Sequence, residues 1–280
     1  MSMPTPAGRV VVVTGASDGI GAAVVRALKG RGDQVVVVGR SPAKTRAVAA
    51  ELGAEGHVAD FAHLGEVRAL ASELGRQHSR VDVLVNNAGL IAGARRTLTD
   101  DGHELSFQVN HLAPFLLTML LRPQLSTGGA TVVTTSSRAG AARDARVVLE
   151  DLNMDDGYDA LRAYKATKLA NVLFTRELAR RWATNGVSAA AAHPGMVRTR
   201  WGLTGPAAVR AVVRSPFRLL MRSPGQGART IVWLATTQPG EDWASGGYFA
   251  DCKPAKASPL ADDRQLAKGL WERSESLCGL

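Results

Sequence analysis

Tyr164 and Lys168 stand four residues apart in Tyr164-Lys165-Ala166-Thr167-Lys168, at the head of the strongly helical run Leu169–Leu178. On a helix, positions i and i+4 share one face, so an ammonium can lie beside a phenol. A free phenol titrates near pH ~10 and is a poor base at neutral pH. A cation held close favours the phenolate, and a tyrosine so placed can exchange a proton with an alcohol or carbonyl. The spacing arises by chance in many proteins, so its meaning depends on what surrounds it. Tyr158 and Lys165 offer similar groups nearby, but Lys165 adjoins Tyr164 and points off the tyrosine's helix face.

Apolar runs and amphipathic stretches alternate along the chain. Strands are expected at Arg9–Val13, Gln34–Val38, His57–Ala59, Val81–Val85, Ala130–Thr135 and Val187–Ala192. Helices are expected at Gly19–Lys29, Ala43–Leu52, Leu64–Gln77, Glu104–Leu121 and Leu161–Thr184. Strands that alternate with helices indicate a parallel sheet covered on both faces. Right-handed crossovers make it an α/β doubly wound (Rossmann) sheet, expected to have about seven strands. No linker or composition break divides residues 1–280, which implies one domain.

Hydrophobic residues are 45% of the 280, yet no apolar run of eighteen or more could span a bilayer. Met1–Gly8 holds Pro4 and Pro6 and no signal-like apolar core, so a soluble, cytoplasmic protein is expected. The formal charge of +9 comes from dispersed basic residues, and aromatics are only 5%, which argues against nucleic acid. Cys252 and Cys278 are expected as free thiols, and the six histidines lack ligand spacing, so no metal is expected.

Thr14-Gly15-Ala16-Ser17-Asp18-Gly19-Ile20-Gly21 follows the first strand and opens a helix. Glycines permit a tight turn and close approach to a pyrophosphate, and a helix N-terminus offers free amides and positive dipole. Gly15, Ser17, Asp18, Gly19, Ile20 and Gly21 are therefore candidates for dinucleotide binding. The second strand ends Val38-Gly39-Arg40-Ser41. Gly39 stands where an acidic residue would bond ribose hydroxyls in NAD-selective folds, while Arg40 can meet a 2′-phosphate, with Ser41 adding a hydroxyl. The cofactor expected is NADP(H). Asp60 and Phe61, after the third strand, are candidates for the adenine edge, with a helix N-cap the alternative for Asp60.

With Asn86-Asn87-Ala88-Gly89 after the fourth strand, the chain resembles the short-chain dehydrogenase/reductase superfamily over nearly its whole length. Asn110 in Val109-Asn-His-Leu112, Ser136-Ser137, Tyr164 with Lys168, and His193-Pro194-Gly195 before Val197 and Thr199 match in order. Lys168–Leu178 and Tyr248-Phe-Ala-Asp-Cys-Lys253 resemble the retinol-dehydrogenase-like branch. Its vertebrate members often carry a membrane-spanning N-terminus; none is expected here, and a soluble relative is expected. The resemblance implies oxidoreduction at CH–OH groups, with Asn110, Ser137, Tyr164 and Lys168 catalytic. Tyr164 would exchange the proton, Lys168 would lower its pKa and bond the nicotinamide ribose, Ser137 would donate to the developing alkoxide, and Asn110 would hold a relaying water. Asn87, Ala88, Gly89, Pro194, Gly195, Val197 and Thr199 would contact NADP, and His193 would be structural. The helices at Glu104–Leu121 and Leu161–Thr184 would be the place for a homodimer. A secondary-metabolite ketoreductase and a non-catalytic NADP-binding regulator are the alternative readings.

Residues 200–224 would form the substrate-covering lobe. Arg210, Arg214, Arg218 and Arg222 recur every four residues, with Val209, Val212, Val213, Phe217, Leu220 and Met221 on another face and Pro216 interrupting the run. The apolar face would line a pocket for a hydrophobic alcohol or carbonyl. The basic face leaves open a transient contact with anionic membranes.

Overall fold

The computed structural model describes residues 8–198, 202, 205–216 and 220–280. Strand β1 (Val10–Thr14) leads through the glycine loop into helix α1 (Gly19–Lys29), whose N-cap Asp18 accepts from the Gly19 amide at 2.8 Å. Then follow β2 (Gln34–Gly39), α2 (Pro42–Leu52), β3 (Glu55–Val58), α3 (Leu64–Gln77) and β4 (Val83–Asn86). A short α4 (Leu105–Phe107), a π-helical turn (Gln108–Leu112), α5 (Ala113–Leu120) and α6 (Arg122–Ser126) precede β5 (Thr131–Thr135). The second half holds the long α7 (Ala160–Arg181), β6 (Ser188–His193), α8 (Ala207–Arg214), α9 (Pro224–Thr236), β7 (Gly247–Ala250), β8 (Lys253–Pro254) and α10 (Arg264–Cys278).

These strands form one sheet in the order β3-β2-β1-β4-β5-β6-β7-β8, parallel except for β8. The architecture is the doubly wound α/β sheet, with eight strands among the described residues where about seven are expected. The added strand is a two-residue antiparallel edge, and the turn before it uses Asp251 and Cys252 at φ 53 and 57. A ribbon so short carries no period for a sequence to display.

The valines explain the two cores. In β1, Val12 faces one side with Leu84, Leu116 and Leu173, and Val11 and Val13 face the other with Val24 and Ile231. Buried on both faces, the central strands read as continuous apolar runs, as parallel strands do. β1 pairs with β2 on one side and β4 on the other, so the strand order reverses there and a crevice opens beyond the carboxyl ends.

One expected helix is broken. The run from Glu104 to Leu121 contains a π turn around Asn110, with the Ala113 amide bonding the Gln108 carbonyl. Pro114 has no N–H to give the Asn110 carbonyl, and the wider turn accommodates that loss. Helix α7 starts one residue earlier than expected, where Asp159 accepts from the Arg162 amide at 2.8 Å, and ends three residues sooner, at Arg181. Its residues Thr167 to Thr175 are all buried within the single chain. Trp271 of α10 stacks on Phe174 at 5.9 Å and meets Phe115 edge-on at 5.1 Å. Among the described residues no helix is long and apolar enough to cross a membrane.

Candidate active site

The carboxyl ends of β1, β4, β5 and β6 open into a cleft of about 610 Å³ that runs from the glycine loop to the lobe. At its first end the loop turns at Gly15, φ +64, where a Cβ would sit 2.8 Å from the Ala88 Cα. Thr14 ties the loop to the next strand: its hydroxyl accepts from the amides of Asn87 and Ala88, both at 3.0 Å, while Asn87 Nδ2 donates to the Thr14 carbonyl at 2.9 Å. Thr14 has no place among the sequence candidates, because its role needs the β1–β4 pairing. Gly15, Asp18, Gly19, Ile20 and Gly21 line this end of the cleft, facing Asn87, Ala88 and Gly89.

A dinucleotide fits these residues. The backbone is bare where a pyrophosphate must approach, and the α1 N-terminus lies beside it. A Cβ at Gly39 would fall 2.6 Å from Thr45 Oγ1 and 2.7 Å from Ser17 Oγ, so no carboxylate has room there. Ser17 is thus a packing partner of Gly39. Arg40 is exposed, with its Nε 3.9 Å from Asp60 Oδ2. Lys44 pairs with Asp18 at 2.6 Å and adds a cation that sequence spacing did not single out. Ser41 precedes α2 without making a side-chain cap.

Asp60 is not the N-cap of α3, a position taken by His63; its Oδ1 instead accepts from the Ala62 amide at 3.0 Å. Phe61 is buried in the core, so its side chain cannot contact an adenine. Apolar packing against α3 outweighs its place at the strand end.

At the other end of the cleft, α7 brings Tyr164 and Lys168 to the wall. Lys168 is 4% exposed; its Nζ donates to the Thr135 carbonyl at 3.1 Å and lies 5.6 Å from the Tyr164 ring centre. Burial pulls its pKa down to about 8. The phenol of Tyr164 hydrogen-bonds Ser137. Burial raises the phenol's pKa above the ordinary value, and the Ser137 bond is the influence that lowers it. The expected lowering by Lys168 is therefore not what governs this phenol: desolvation acts on both groups and favours the protonated tyrosine.

The two adjacent serines separate by geometry. Ser136 is 2% exposed, and its hydroxyl donates to the Lys168 carbonyl at 2.7 Å, so it fixes helix α7. Ser137 faces Tyr164 and caps a short 3-10 turn, accepting from the Ala139 amide at 3.2 Å. Asn110 lies in the π turn, accepting from the Leu90 amide at 2.7 Å and donating to the Leu90 carbonyl at 2.8 Å and to Thr167 Oγ1 at 3.1 Å. Its side chain thus ties the Asn87–Gly89 loop to α7.

Tyr158 is set apart from the cleft. Its hydroxyl donates toward Glu104 Oε1 at 3.3 Å, and burial raises its pKa. Lys165 pairs with Asp144 at 2.5 Å. His193 Nδ1 accepts from the Arg138 amide at 3.1 Å, and burial lowers its pKa to about 4, so it is a neutral tie between β6 and the Ser137 turn.

Pro194, Gly195 and Val197 line the cleft, while Thr199 lies outside the described residues. From the lobe, Val209, Val212, Val213 and Met221 face the cleft; Leu220 is 81% exposed and does not, and Phe217 and Arg218 lie outside the described residues. Arg222 pairs with Asp251 at 2.5 Å, and Arg210 donates to the Gly205 carbonyl at 2.9 Å. Two of the four spaced arginines thus make internal contacts. Among the described residues no group of three or more His, Cys, Asp or Glu is arranged to hold a metal ion.

A Rossmann sheet with this loop and this Tyr–Lys–Ser cluster defines a nicotinamide-dependent oxidoreductase. Residues 9–149 match the family model for short chain dehydrogenase. The chain is 40% identical, over all its length and 99% of the relative's, to a Streptomyces sp. (strain C5) protein provisionally named daunorubicin C-13 ketoreductase. It is 36% identical to retinol dehydrogenase 14 of Homo sapiens, over 98% of this chain and 87% of that one. A solved structure from Beutenbergia cavernae, provisionally an NAD(P)-dependent gluconate 5-dehydrogenase with NADP bound at low occupancy, superposes with a TM-score of 0.69 at 30% identity, covering 89% of this chain and 97% of that one. The chain belongs to the short-chain dehydrogenase/reductase family, in its retinol dehydrogenase-like branch.

Proposed function

We propose that this protein is an NADP(H)-dependent oxidoreductase that interconverts a hydrophobic alcohol and its carbonyl, with Tyr164 as the proton-exchanging group. The observation that carries this reading is Tyr164 hydrogen-bonded to Ser137, in front of Lys168, on the wall of a cleft that joins the glycine loop to an apolar lobe. Nicotinamide supplies or accepts the hydride when bound. In reduction, the protonated Tyr164 gives its hydrogen to the carbonyl oxygen, and Ser137 donates to the same oxygen as charge develops. Lys168 contributes a buried cation beside the phenol and a donor toward the nicotinamide ribose. Asn110 holds the loop of Asn87–Gly89 and, through a water, links Lys168 to solvent.

Arg40, exposed and next to a Gly39 that admits no carboxylate, supports NADP(H) over NAD(H). Val209, Val212, Val213 and Met221 support a lipophilic substrate. Ketone reduction in a tailoring pathway is favoured as a second reading by the Streptomyces relative's name and by a phenol that burial keeps protonated. The test is NADPH consumption across hydrophobic aldehydes and ketones, with NADH as control. Turnover of at least one carbonyl with preference for NADPH is expected; no turnover of any, or preference for NADH, contradicts the proposal.

A further inference from the structure

Behind Lys168, away from the cleft, lies a chain of buried polar side chains that the chemistry above does not use. Asn171 Nδ2 donates at 3.2 Å to the same Thr135 carbonyl that holds Lys168. His111, in the π turn, faces Asn171 on one side and meets Ser274 of α10 at 3.0 Å through Nε2 on the other. Asn171, His111 and Ser274 are 2%, 1% and 0% exposed. His111 is enclosed by Phe107, Phe115 and Phe174, with ring centres 5.4 to 6.2 Å away. Burial lowers its pKa to about 4, so the ring is neutral and carries a single N–H.

Where that hydrogen sits follows from the accounting of donors. Asn171 Nδ2 must face Thr135, because its carbonyl oxygen cannot accept from another carbonyl. Asn171 Oδ1 and His111 Nδ1 are then two buried atoms with no partner in ordinary hydrogen-bond geometry among the described residues. Leaving both unpaired forfeits the hydrogen bonds that each would make in water. If the imidazole hydrogen is on Nε2, it bonds Ser274 Oγ, whose own hydrogen goes to the Leu270 carbonyl at 2.7 Å, and both atoms stay unpaired. With the hydrogen on Nδ1, it is directed toward Asn171, the two side chains closing on each other to pair it with Oδ1, and the Ser274 hydroxyl turns to donate to Nε2. The second arrangement pairs both atoms and points every donor toward the Thr135 carbonyl.

We propose that Ser274, His111 and Asn171 form a buried relay that ends on the Thr135 carbonyl and sets the position of Lys168, so that Asn171 and His111 are positioning residues. The proposal rests on the reading of Lys168 as part of the reacting group. It gives α10 a role besides covering the core: its hydroxyl fixes the imidazole tautomer, the imidazole fixes the carboxamide, and the carboxamide shares the carbonyl with the ammonium.

Two measurements on the full chain test it. Nitrogen-15 NMR of His111 reports the tautomer without substrate or cofactor: Nδ1–H is expected in the native protein and Nε2–H in Asn171→Leu, and an Nε2–H native ring overturns the relay. In steady-state reduction, Asn171→Leu and His111→Phe (the latter keeping the aromatic stack) lower kcat about tenfold with the substrate KM within about twofold, as a small misplacement does. They also shift the pH profile of kcat, which lost packing alone would not. Native kcat and pH profile in both variants, alongside an inactive Tyr164→Phe, overturn the relay and leave the functional reading standing. An active Tyr164→Phe removes the functional reading, and the NMR result alone then decides whether the relay exists.

Discussion

Replacing Arg40 by alanine isolates the proposed cofactor choice. The Arg40 side chain is 68% exposed, and its nearest carboxylate, Asp60, lies 3.9 Å away. An ion pair this long and this solvated contributes little to folding, so stability is expected to be unchanged. Hydrogen bonds between a guanidinium and a 2′-phosphate are charge-assisted and worth about 1.5–3 kcal/mol. That corresponds to a rise of roughly 10- to 150-fold in KM for NADPH, with KM for NADH within about twofold. Initial rates with each coenzyme at fixed carbonyl substrate give both constants. Gly39→Asp is the matched control: its Cβ would meet Thr45 and Ser17 within 2.7 Å, so it is expected to lose NADPH use without gaining NADH, because the strand end must move. An Arg40→Ala enzyme with an unchanged NADPH-to-NADH ratio, or a Gly39→Asp enzyme that becomes efficient with NADH, would refute this reasoning.

Ser136→Ala removes a buried bond to the Lys168 carbonyl and should cost about 1–2 kcal/mol of stability while kcat stays within about tenfold. Ser137→Ala should lower kcat about 10²–10³-fold with little change in stability, and the reverse pattern would reassign the two serines. Folded His111 titrates near 4 rather than 6.5, so it binds fewer protons than the unfolded chain below pH 6.5. The His111 contribution to stability should therefore fall as pH drops from 6.5 to 4, by about 3 kcal/mol at most, and level off below; denaturant melts of His111→Phe should show a smaller fall, keeping the part due to His193, whose pKa burial also lowers to about 4. Because Thr167 to Thr175 of α7 are already buried within one chain, light scattering should give the 29.5 kDa mass of a monomer, and a mass twice that would contradict it.

The sheet was legible because β1, β2, β4 and β5 are valine-bearing apolar runs, and α1 and α7 begin where Asp18 and Asp159 cap them. Helices α1 and α3 fall where spacing alone put them, at Gly19–Lys29 and Leu64–Gln77. The π turn was not legible: Val109-Asn-His-Leu112 reads as ordinary helix, and only Pro114 hints at a strained hydrogen-bond ladder. Tyr164, Lys168 and Ser137 are legible as candidates because local spacing and motif order carry them, and all three line one cleft. Thr14, Thr135, Asn171 and Lys44 were missed because their contacts join β1 to β4, β5 to α7 and the glycine loop to α2. Contacts across elements leave no period in the chain. Phe61 is the opposite case, a residue beside a plausible ligand edge whose ring the core claims, which leaves only its backbone for a ligand.

The most direct measurement is single-turnover NADPH oxidation by Tyr164→Phe with a carbonyl that the native enzyme reduces, alongside coenzyme binding by fluorescence. Loss of about 10²–10⁴-fold in the hydride-transfer rate with NADPH binding intact is expected when the group that gives the reacting oxygen its proton is removed. A Tyr164→Phe rate within a few-fold of native, with NADPH still bound, would contradict the account.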